Sequence, residues 1–451
     1  MRLPSLVLAA LACLSLAAEA PDPGREAQAL LTAAAGASPG AVVLIARGET
    51  VVYRGAAGQA QLELGVPMTA DQVFSVASVT KMFTAAAVLK LRDAGKLSLD
   101  DPLAAYLPDF PAAAGITLRQ LLHHSSGVSD RIAAPTPGFS RRELDTATLV
   151  GEIAKRPADF PPGTRWAYSN AGYILLGAVI EKATGKPWHV AVHDEVIAPV
   201  GLTHTVYGAA GPLVPGRAAG YSGDPAGGWR NAAYISLSAP AAAGGFLSTA
   251  DDLRRWIRAL ATGRLLKPQS VREMMAPGPE LPGVAPGGRY GLGLYLWTVR
   301  GAPMIGHTGQ INGFASIVGY LPDQDLTVVA LFNSDAADAR TAGRRLAAIA
   351  LGQPYPQPVA VRPSAADLAA LAGAYGEGET ARTLFAKDGL LYAQRAGRDP
   401  NPLQLTPEGR LHFVPDELSY FLPVRDAGGR VTRLDYYPGG DGPPQALARR
   451  P

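Results

Sequence analysis

Three short motifs in this chain carry side chains that could perform nucleophilic catalysis. The first is Ser78-Val-Thr-Lys81, in which a hydroxyl and an amine lie three residues apart at the start of a predicted helix, Ser78 to Ala94. Residues at this spacing share one face of a helix and lie within reach of each other. A serine hydroxyl is a weak nucleophile until a base removes its proton, and a partly desolvated lysine can be that base. The motif therefore predicts nucleophilic chemistry at Ser78.

The second and third motifs are Tyr168-Ser-Asn170, just before a predicted helix at Ala171 to Thr184, and His307-Thr308-Gly309, just before a predicted strand. If Tyr168 lies near Lys81, the positive charge would lower the pKa of the phenol, which could then relay protons. A strand with Thr-Gly can pass its backbone close to a substrate, because glycine has no side chain to block the approach. Each motif is weak alone, and the three together are specific.

The order Ser-x-x-Lys, Tyr-x-Asn, His-Thr-Gly resembles the serine β-lactamase and penicillin-binding superfamily. The chain is most similar to the branch with class C β-lactamases, D-alanyl-D-alanine carboxypeptidases, D-aminopeptidases and β-lactamase-fold esterases. The resemblance covers roughly Pro39 to Ala348. Further stretches also resemble that branch: Gly95 to Pro102, Ile116 to Leu122 with Ser125-Ser-Gly127, Phe160 to Thr164, and Gly244 to Asp252.

The resemblance implies two groups of site residues and no metal or organic cofactor. The catalytic group would form an acyl-enzyme on the serine and move protons; it comprises Ser78, Lys81 and Tyr168. The binding group would hold the substrate amide, shape the pocket and bind a substrate carboxylate if one is present. With the Ser78 N–H it would also complete the oxyanion hole. It comprises Asn170, His307, Thr308, Gly309 and Gln310. Substrates would be esters, D-amino-acid peptides or β-lactams.

His307 stands where many β-lactamases carry lysine. Lysine stays charged at pH 7, whereas a histidine with its unperturbed pKa near 6.5 is mostly neutral. A weaker anion site suits a peptidase or esterase, and we expect catalysis to change as His307 titrates. We therefore rank a D-amino-acid peptidase, carboxypeptidase or esterase ahead of a class C-like β-lactamase. The third alternative is a catalytically silent protein that binds cell-wall peptides or a partner.

Strands are predicted before the first of these motifs and after the last one. A hairpin is predicted at Ala41 to Arg47 and Thr50 to Arg54, and two later strands at Gly313 to Leu321 and Leu326 to Asn333. A helix is predicted at Ala250 to Ala261. This pattern predicts one sheet assembled from distant parts of the chain. The resemblance implies a β-lactamase-like α/β fold, an antiparallel sheet flanked by helices beside a mostly helical lobe.

Composition divides the chain into four predicted segments. Prolines at 354, 356, 358 and 363 predict an extended linker. Four short strand-like runs follow it, with turns at Asp388-Gly389 and Gly428-Gly429: Thr383 to Ala386, Leu390 to Ala393, Arg410 to Val414 and Val431 to Tyr437. These runs predict a small C-terminal all-β domain of the barrel type. The segments are a signal peptide at 1–20, a serine hydrolase domain at 21–350, a Pro-rich linker at 351–366 and the β domain at 367–451.

The N-terminal segment is typical of a secretory signal. Arg2 precedes an almost wholly apolar run from Leu3 to Leu16, and small alanines follow. The run is too short to span a bilayer, so we expect a periplasmic or secreted protein with no stable membrane span after cleavage. A lipoprotein anchored at Cys13, the only cysteine, is a minor alternative.

The remaining composition excludes several other classes. A formal net charge of +3 with no Lys/Arg run gives no reason to expect a nucleic-acid partner. His189 and His193 share the spacing of metal ligands, but no third ligand is evident, and we interpret them as a surface pair. We interpret His123 and His124 as structural.

Overall fold

The computed structural model describes residues 22–35, 38–130, 138–209, 211–224, 226–279, 288–414 and 418–450. The predicted signal peptide and Cys13 lie outside these residues. In the part of the chain that is described, no helix combines the length and the apolar character needed to cross a membrane.

The helices begin and end where the sequence supplies caps. Helix 250–261 begins after Thr249, whose side chain accepts a hydrogen bond from the Asp252 N–H, and helix 170–184 ends at Gly185 in the left-handed conformation. The α-helices are α1 Pro23–Ala35, α2 Thr80–Asp93, α3 Leu118–Leu122, α4 Thr146–Ala154, α5 Asn170–Thr184, α6 Trp188–Val192, α7 Ala198–Val200, α8 Ala250–Ala261, α9 Pro268–Met274, α10 Ala339–Ala350 and α11 Ala365–Leu371.

Fourteen strands precede α10 in the described residues, and seven of them form one antiparallel sheet. They are β1 Ala41–Arg47, β2 Thr50–Ala57, β3 Gln59–Gln61, β4 Val66–Pro67, β5 Phe74–Ser75, β6 Val206–Tyr207, β7 Tyr221–Asp224, β8 Gly228–Asn231, β9 Phe246–Ser248, β10 Arg289–Tyr290, β11 Tyr295–Val299, β12 Ala302–Ile311, β13 Phe314–Leu321 and β14 Leu326–Phe332. The sheet order is β10-β11-β12-β13-β14-β1-β2. The N-terminal hairpin thus pairs with a late strand, which confirms the prediction of one sheet built from distant segments.

Strand β1 is buried on both faces of this sheet because helices cover each face. Val42 and Leu44 belong to the core that includes residues of α2, α5 and α8. Val43 and Ile45 belong to a second core with Leu31 of α1 and residues of α10. Successive side chains of a strand point to opposite faces, so a doubly covered strand is apolar throughout. The helices α3, α4 and α6 pack against α5, which packs against α2, and together they form the predicted helical lobe.

The C-terminal part of the chain is a closed β-barrel. Eight antiparallel strands follow one another in order: β15 Gly373–Tyr375, β16 Arg382–Lys387, β17 Leu390–Gln394, β18 Asn401–Leu405, β19 Leu411–Phe413, β20 Tyr420–Arg425, β21 Val431–Tyr437 and β22 Gln445–Ala448. The first and last strands meet, since the Gly376 N–H donates to Ala448 O and the Arg450 N–H to Ala374 O. This closure leaves no free edge and confirms the predicted barrel.

A carboxylate with a largely buried side chain joins the barrel to the seven-stranded sheet. Asp441 accepts hydrogen bonds from Arg344 of α10 (2.7 Å), from the Arg300 N–H that follows β11 (3.0 Å), and from the Tyr355 hydroxyl. Leu418 of the barrel packs into the core that α10 shares with the sheet. Helix α11 begins inside the segment predicted as a linker, and the predicted domain boundaries stay a prediction.

Candidate active site

Ser78 lies in a tight turn rather than in an α-helix. The turn Ala77–Val79 is a 3₁₀ helix, and α2 begins only at Thr80, so the predicted helix start at Ser78 is wrong by two residues. The cause is Ala77, whose φ of 46° is left-handed and bends the chain before the serine. Hydrogen bonds from the Val76 N–H to Phe246 O and from the Phe246 N–H to the Thr80 hydroxyl, both 3.1 Å, fix the turn against β9.

Lys81 is fully buried and lies within hydrogen-bonding distance of Ser78, as the motif spacing predicted. Its Nζ is 3.1 Å from Ser78 Oγ, 2.7 Å from Asn170 Oδ1 and 2.8 Å from Ala243 O. The last two oxygens only accept, so they take the two N–H bonds of a neutral amine. The lone pair of that amine then faces Ser78 Oγ, which is the geometry of a base for this hydroxyl.

The protonation of Lys81 is unusual for a lysine. Burial lowers its pKa from 10.5 to about 7, and the charge of Asp130 opposes that shift only in part. Removal from water disfavours the ammonium form, because no solvent stabilises its charge. A large fraction of the amine is therefore neutral near pH 7 and able to accept a proton.

Tyr168 lies beside this pair as a neutral phenol. Lys81 Nζ is 4.7 Å from the centre of its ring. Burial raises the pKa of Tyr168 well above 10, and a hydrogen bond to Ser78 only opposes the shift. The predicted lowering of this pKa by Lys81 is therefore wrong in direction, because desolvation outweighs the field of a largely neutral amine. The hydroxyl keeps its proton and can donate it.

His307 lies buried in β12 with both ring nitrogens engaged. Its Nδ1 is 2.5 Å from Thr308 O and its Nε2 is 2.9 Å from the Tyr290 hydroxyl. A carbonyl only accepts, so Nδ1 carries the proton and Nε2 accepts from Tyr290. Burial, with the fields of Lys81 and Arg340, lowers the pKa of His307 to about 3. The structure therefore contradicts our expectation that His307 titrates near neutral pH.

Gly309 allows β12 to pass against the Ser78 turn. A Cβ at this position would lie 2.2 Å from Val76 O and 2.4 Å from Ser316 Oγ. The Ser316 hydroxyl donates to the same Val76 carbonyl at 2.9 Å. Because Gly309 has no side chain, the backbone at Val76, just before the Ser78 turn, can lie directly against β12. The substrate contacts predicted for Thr308, Gly309 and Gln310 stay predictions, as does that of Asn170, whose side chain instead holds Lys81.

An aromatic cluster around Tyr168 forms a wall of the site that the sequence analysis missed. His124 lies 4.4 Å from the Tyr168 ring and 4.6 Å from the Tyr290 ring, between centroids. Its Nδ1 accepts from the Ser169 N–H at 3.1 Å, and burial holds its pKa well below 6.5. His124 could have been predicted as a site residue, because it directly precedes Ser125-Ser-Gly127, one of the stretches that resemble the family branch. No comparable pattern marks Tyr290 or Tyr295.

Backbone strain concentrates at this site. Seven residues other than glycine have positive φ in the described part of the chain, and three of them adjoin the site: Ala77, His124 and Ala241. Each such residue typically costs about 1–3 kcal/mol and is held in place by its surroundings. Ala77 precedes the serine, and Ala241 opens the turn whose Ala243 carbonyl binds Lys81.

The histidine pair suspected as metal ligands is separate from this site. His189 stacks on Tyr207 with centroids 4.4 Å apart, and His193 contacts Asp194. Within the described ranges, His, Cys, Asp and Glu side chains form no group of three that could hold a metal ion. His193 is exposed and His189 only partly so, and the interpretation of the two as a surface pair rather than metal ligands stays a prediction.

We expect the rate of hydrolysis to rise with pH with a midpoint near 7. We expect the neutral form of Lys81 to act as the base. Its pKa is about 7, so activity should be lost as pH falls through that value. His307, with a pKa near 3, stays neutral over this range. A profile of kcat/KM from about pH 5 to 9 in the wild type and in His307→Gln measures this. The acidic limb is the part of the profile where the rate falls with decreasing pH. If it moves in His307→Gln, the assignment of this pH dependence to Lys81 is contradicted.

A β-lactamase-like fold that pairs a serine with a fully buried lysine is that of a serine hydrolase. The family model Beta-lactamase matches residues 26–352, and the chain belongs to that family.

Several similar proteins carry names that specify an activity, and three of them are described below. Esterase EstB of Burkholderia gladioli is 38% identical over 190 residues, which cover 38% of this chain and 48% of that protein. The D-aminopeptidase of Gluconobacter oxydans is 30% identical over 355 residues, 76% of this chain and 63% of that one. A D-amino acid amidase from Ochrobactrum anthropi SV3, solved with D-phenylalanine, is 30% identical with a TM-score of 0.63, covering 69% of this chain and 92% of that one. The chain thus spans about half to two thirds of the two curated relatives.

Proposed function

We propose that this protein hydrolyses amides and esters of D-amino acids through an acyl-enzyme on Ser78. The observation that carries the proposal is the hydrogen bonding of Lys81, whose two fixed acceptors leave the lone pair of the neutral amine facing Ser78 Oγ at 3.1 Å. A serine becomes nucleophilic when a base in this position takes its proton.

Acylation follows from these contacts. Lys81 Nζ takes the proton of Ser78 as Oγ attacks the substrate carbonyl, and the C–O bond forms while the carbonyl oxygen becomes an oxyanion. When the intermediate collapses, the bond to the leaving nitrogen or oxygen breaks. The leaving group receives the proton taken from Ser78 through the neutral Tyr168 hydroxyl, which gives up its own proton and is reprotonated from Lys81.

Deacylation uses the same groups in the reverse direction. Water attacks the acyl carbon of the Ser78 ester while the neutral amine of Lys81 takes a water proton, and a new C–O bond forms. When this intermediate collapses, the bond from the acyl carbon to Ser78 Oγ breaks, and Lys81 gives its proton to Oγ. The enzyme returns to its starting state with Lys81 neutral. The burial of this amine supports the cycle, because it brings the pKa of the base to about 7 and lets the amine both take and return a proton near neutral pH.

The oxyanion is expected between the Ser78 turn and β12. Contact between these segments at Val76 and Gly309 supports that place. The proposed donors are the backbone N–H groups of Ser78 and Gln310, and losing one such donor typically costs about 3 kcal/mol of barrier.

The substrate class is inferred from His307 and from the relatives. A neutral imidazole whose two nitrogens are engaged cannot supply the positive charge that a free substrate carboxylate would need. This favours amides and esters over substrates with a terminal carboxylate. The D configuration is inferred from the D-aminopeptidase and the D-amino acid amidase.

A panel of matched substrates tests the proposal. It contains D- and L-phenylalanine amide, the p-nitrophenyl ester of D-phenylalanine, D-alanyl-D-alanine with its carboxylate free or amidated, and a chromogenic cephalosporin. We expect the D-amide and the ester to be hydrolysed and the amidated dipeptide to exceed the free acid. Preference for the free acid would indicate a carboxypeptidase, and fast cephalosporin turnover a β-lactamase. Inactivity on every member would favour a binding protein.

We also propose that the protein acts outside the cytoplasm. The positive charge, apolar run and small residues of the first twenty positions support this proposal. Fractionation of cells that produce the full chain, with N-terminal sequencing of the product, tests it. Recovery of the intact chain from the cytoplasm alone would contradict it.

A further inference from the structure

Asp130 lies behind the catalytic amine, at the N-terminus of α5. Its carboxylate accepts hydrogen bonds from the backbone N–H groups of Asn170 and, at 3.2 Å, Ala171. Its second oxygen accepts from the side-chain Nδ2 of Asn170 at 3.1 Å. The same Asn170 side chain accepts from Lys81 Nζ through its Oδ1 at 2.7 Å. A continuous chain of contacts therefore runs from Asp130 through Asn170 and Lys81 to Ser78.

The contact with Asp130 decides which end of the Asn170 amide faces Lys81. Burial raises the pKa of Asp130, and the helix N–H groups, the Asn170 amide and the charge of Lys81 oppose that shift. The ionised carboxylate has no proton to donate, so only the NH₂ end of the amide can face it. The carbonyl end must then face Lys81, where it takes one N–H of the amine. A flipped amide would present its NH₂ group to an amine that needs an acceptor. The lone pair of Lys81 would then have no fixed direction.

Helix capping alone does not account for these contacts. The Ser169 hydroxyl already caps α5 by accepting from the Gly172 N–H at 3.0 Å. A carboxylate at a helix N-terminus is favourable, and the two backbone bonds of Asp130 fit that role. The side-chain bond to Asn170 adds nothing to the cap. It connects the carboxylate to the catalytic amine.

We infer that Asp130 is a positioning residue, which fixes the Asn170 amide so that the lone pair of Lys81 faces Ser78, and whose negative charge acts on that amine. This inference rests on the proposed function.

The charge of Asp130 gives the inference a measurable signature. The groups that face or act on Lys81 from the surrounding elements are the Tyr168 and Tyr173 rings, the neutral imidazoles of His124 and His307, and Asp130. Among these, the Asp130 carboxylate carries a negative charge, and that charge favours the ammonium form of Lys81. Removing its charge would lower the pKa of Lys81 further. The acidic limb of the pH–rate profile would then move to lower pH.

The experiment compares Asp130→Asn, Asp130→Glu and Asp145→Asn in the full chain. Asp130→Asn keeps one acceptor for the helix N–H groups but loses the charge. We expect kcat to fall by about 10- to 100-fold with little change in KM, and the acidic limb to move down by about one pH unit. Asp130→Glu keeps the charge and displaces it. There we expect a lower kcat with the limb in place.

Asp145→Asn is the matched control, since Asp145 caps α4 by accepting from the Thr148 N–H at 2.7 Å and has no bond to Asn170. It should lower the melting temperature and leave the pH profile unchanged. If Asp130→Asn behaves like this control, Asp130 is only a cap and the inference is overturned. If Asp130→Asn does not fold, an unchanged kcat in Asp130→Glu overturns it. Activity that survives Ser78→Ala would instead remove the proposed function.

Discussion

Replacing Ser78 by alanine should reduce hydrolysis of the D-phenylalanine p-nitrophenyl ester by at least about 10⁴-fold, to near the uncatalysed rate. The hydroxyl is the group that would attack the carbonyl. Without it no acyl-enzyme can form, and water would have to attack the substrate directly in a single, more difficult step. Steady-state release of p-nitrophenol measures the loss. Mass spectrometry of quenched wild-type protein should also find the acyl group on the peptide that contains Ser78.

Ser75→Ala is the matched control for this variant. Ser75 is buried three residues upstream, and its hydroxyl makes no hydrogen bond in the structure, so its removal should cost little. We expect near wild-type rates in Ser75→Ala. Equal activity in Ser78→Ala and wild type would show that another residue is the nucleophile.

Lys81→Met should lower kcat/KM by about 10³- to 10⁴-fold. Methionine has a similar length and fits an apolar position, but it cannot take the proton of Ser78. The remaining activity should rise with hydroxide concentration. The fall in rate below about pH 7 seen in the wild-type pH–rate profile should disappear, because the base that titrates there is gone. Rates at several pH values, with the melting temperature as a folding check, measure this.

Lys90→Met supplies the control on the same helix. Lys90 lies near the C-terminal end of α2, partly exposed and away from the cleft. Its replacement should leave both rate and pH profile unchanged. A Lys81→Met enzyme that retains the wild-type profile would mean that Lys81 only fills space, and the base would have to be sought elsewhere.

Much of the fold could be predicted because its signals are local. Helix 250–261 has a capping threonine and a strong amphipathic repeat, and its bounds were predicted without error. The start of α2 was misplaced because the turn before it depends on a left-handed alanine, a conformation that alanine does not signal. In the barrel, four of eight strands were predicted. The missed strands are short or, like β18 and β20, contain proline, which the ordinary strand pattern excludes.

The site could be predicted in part for a related reason. Ser78 and Lys81 lie three residues apart, so helix geometry alone brings them together. Asp130, His124 and Tyr290 reach the site only through the packing of α5 and the register of the sheet, which no local pattern encodes. The pKa directions of Tyr168 and His307 were missed for the same cause, because burial dominates both and the motifs do not report burial.

The buried amine of Lys81 also weakens the folded state. In an unfolded chain its pKa would return to its ordinary value of 10.5, so the unfolded protein binds more protons than the folded one between about pH 7 and 10.5. Stability contributed by this group therefore rises with pH across that window. Below pH 7 the full cost is present, on the order of 5 kcal/mol, comparable to the net stability of many domains. Apolar burial on both faces of the sheet contributes stability that offsets this cost, so part of the stability of the fold is used to keep one amine out of water.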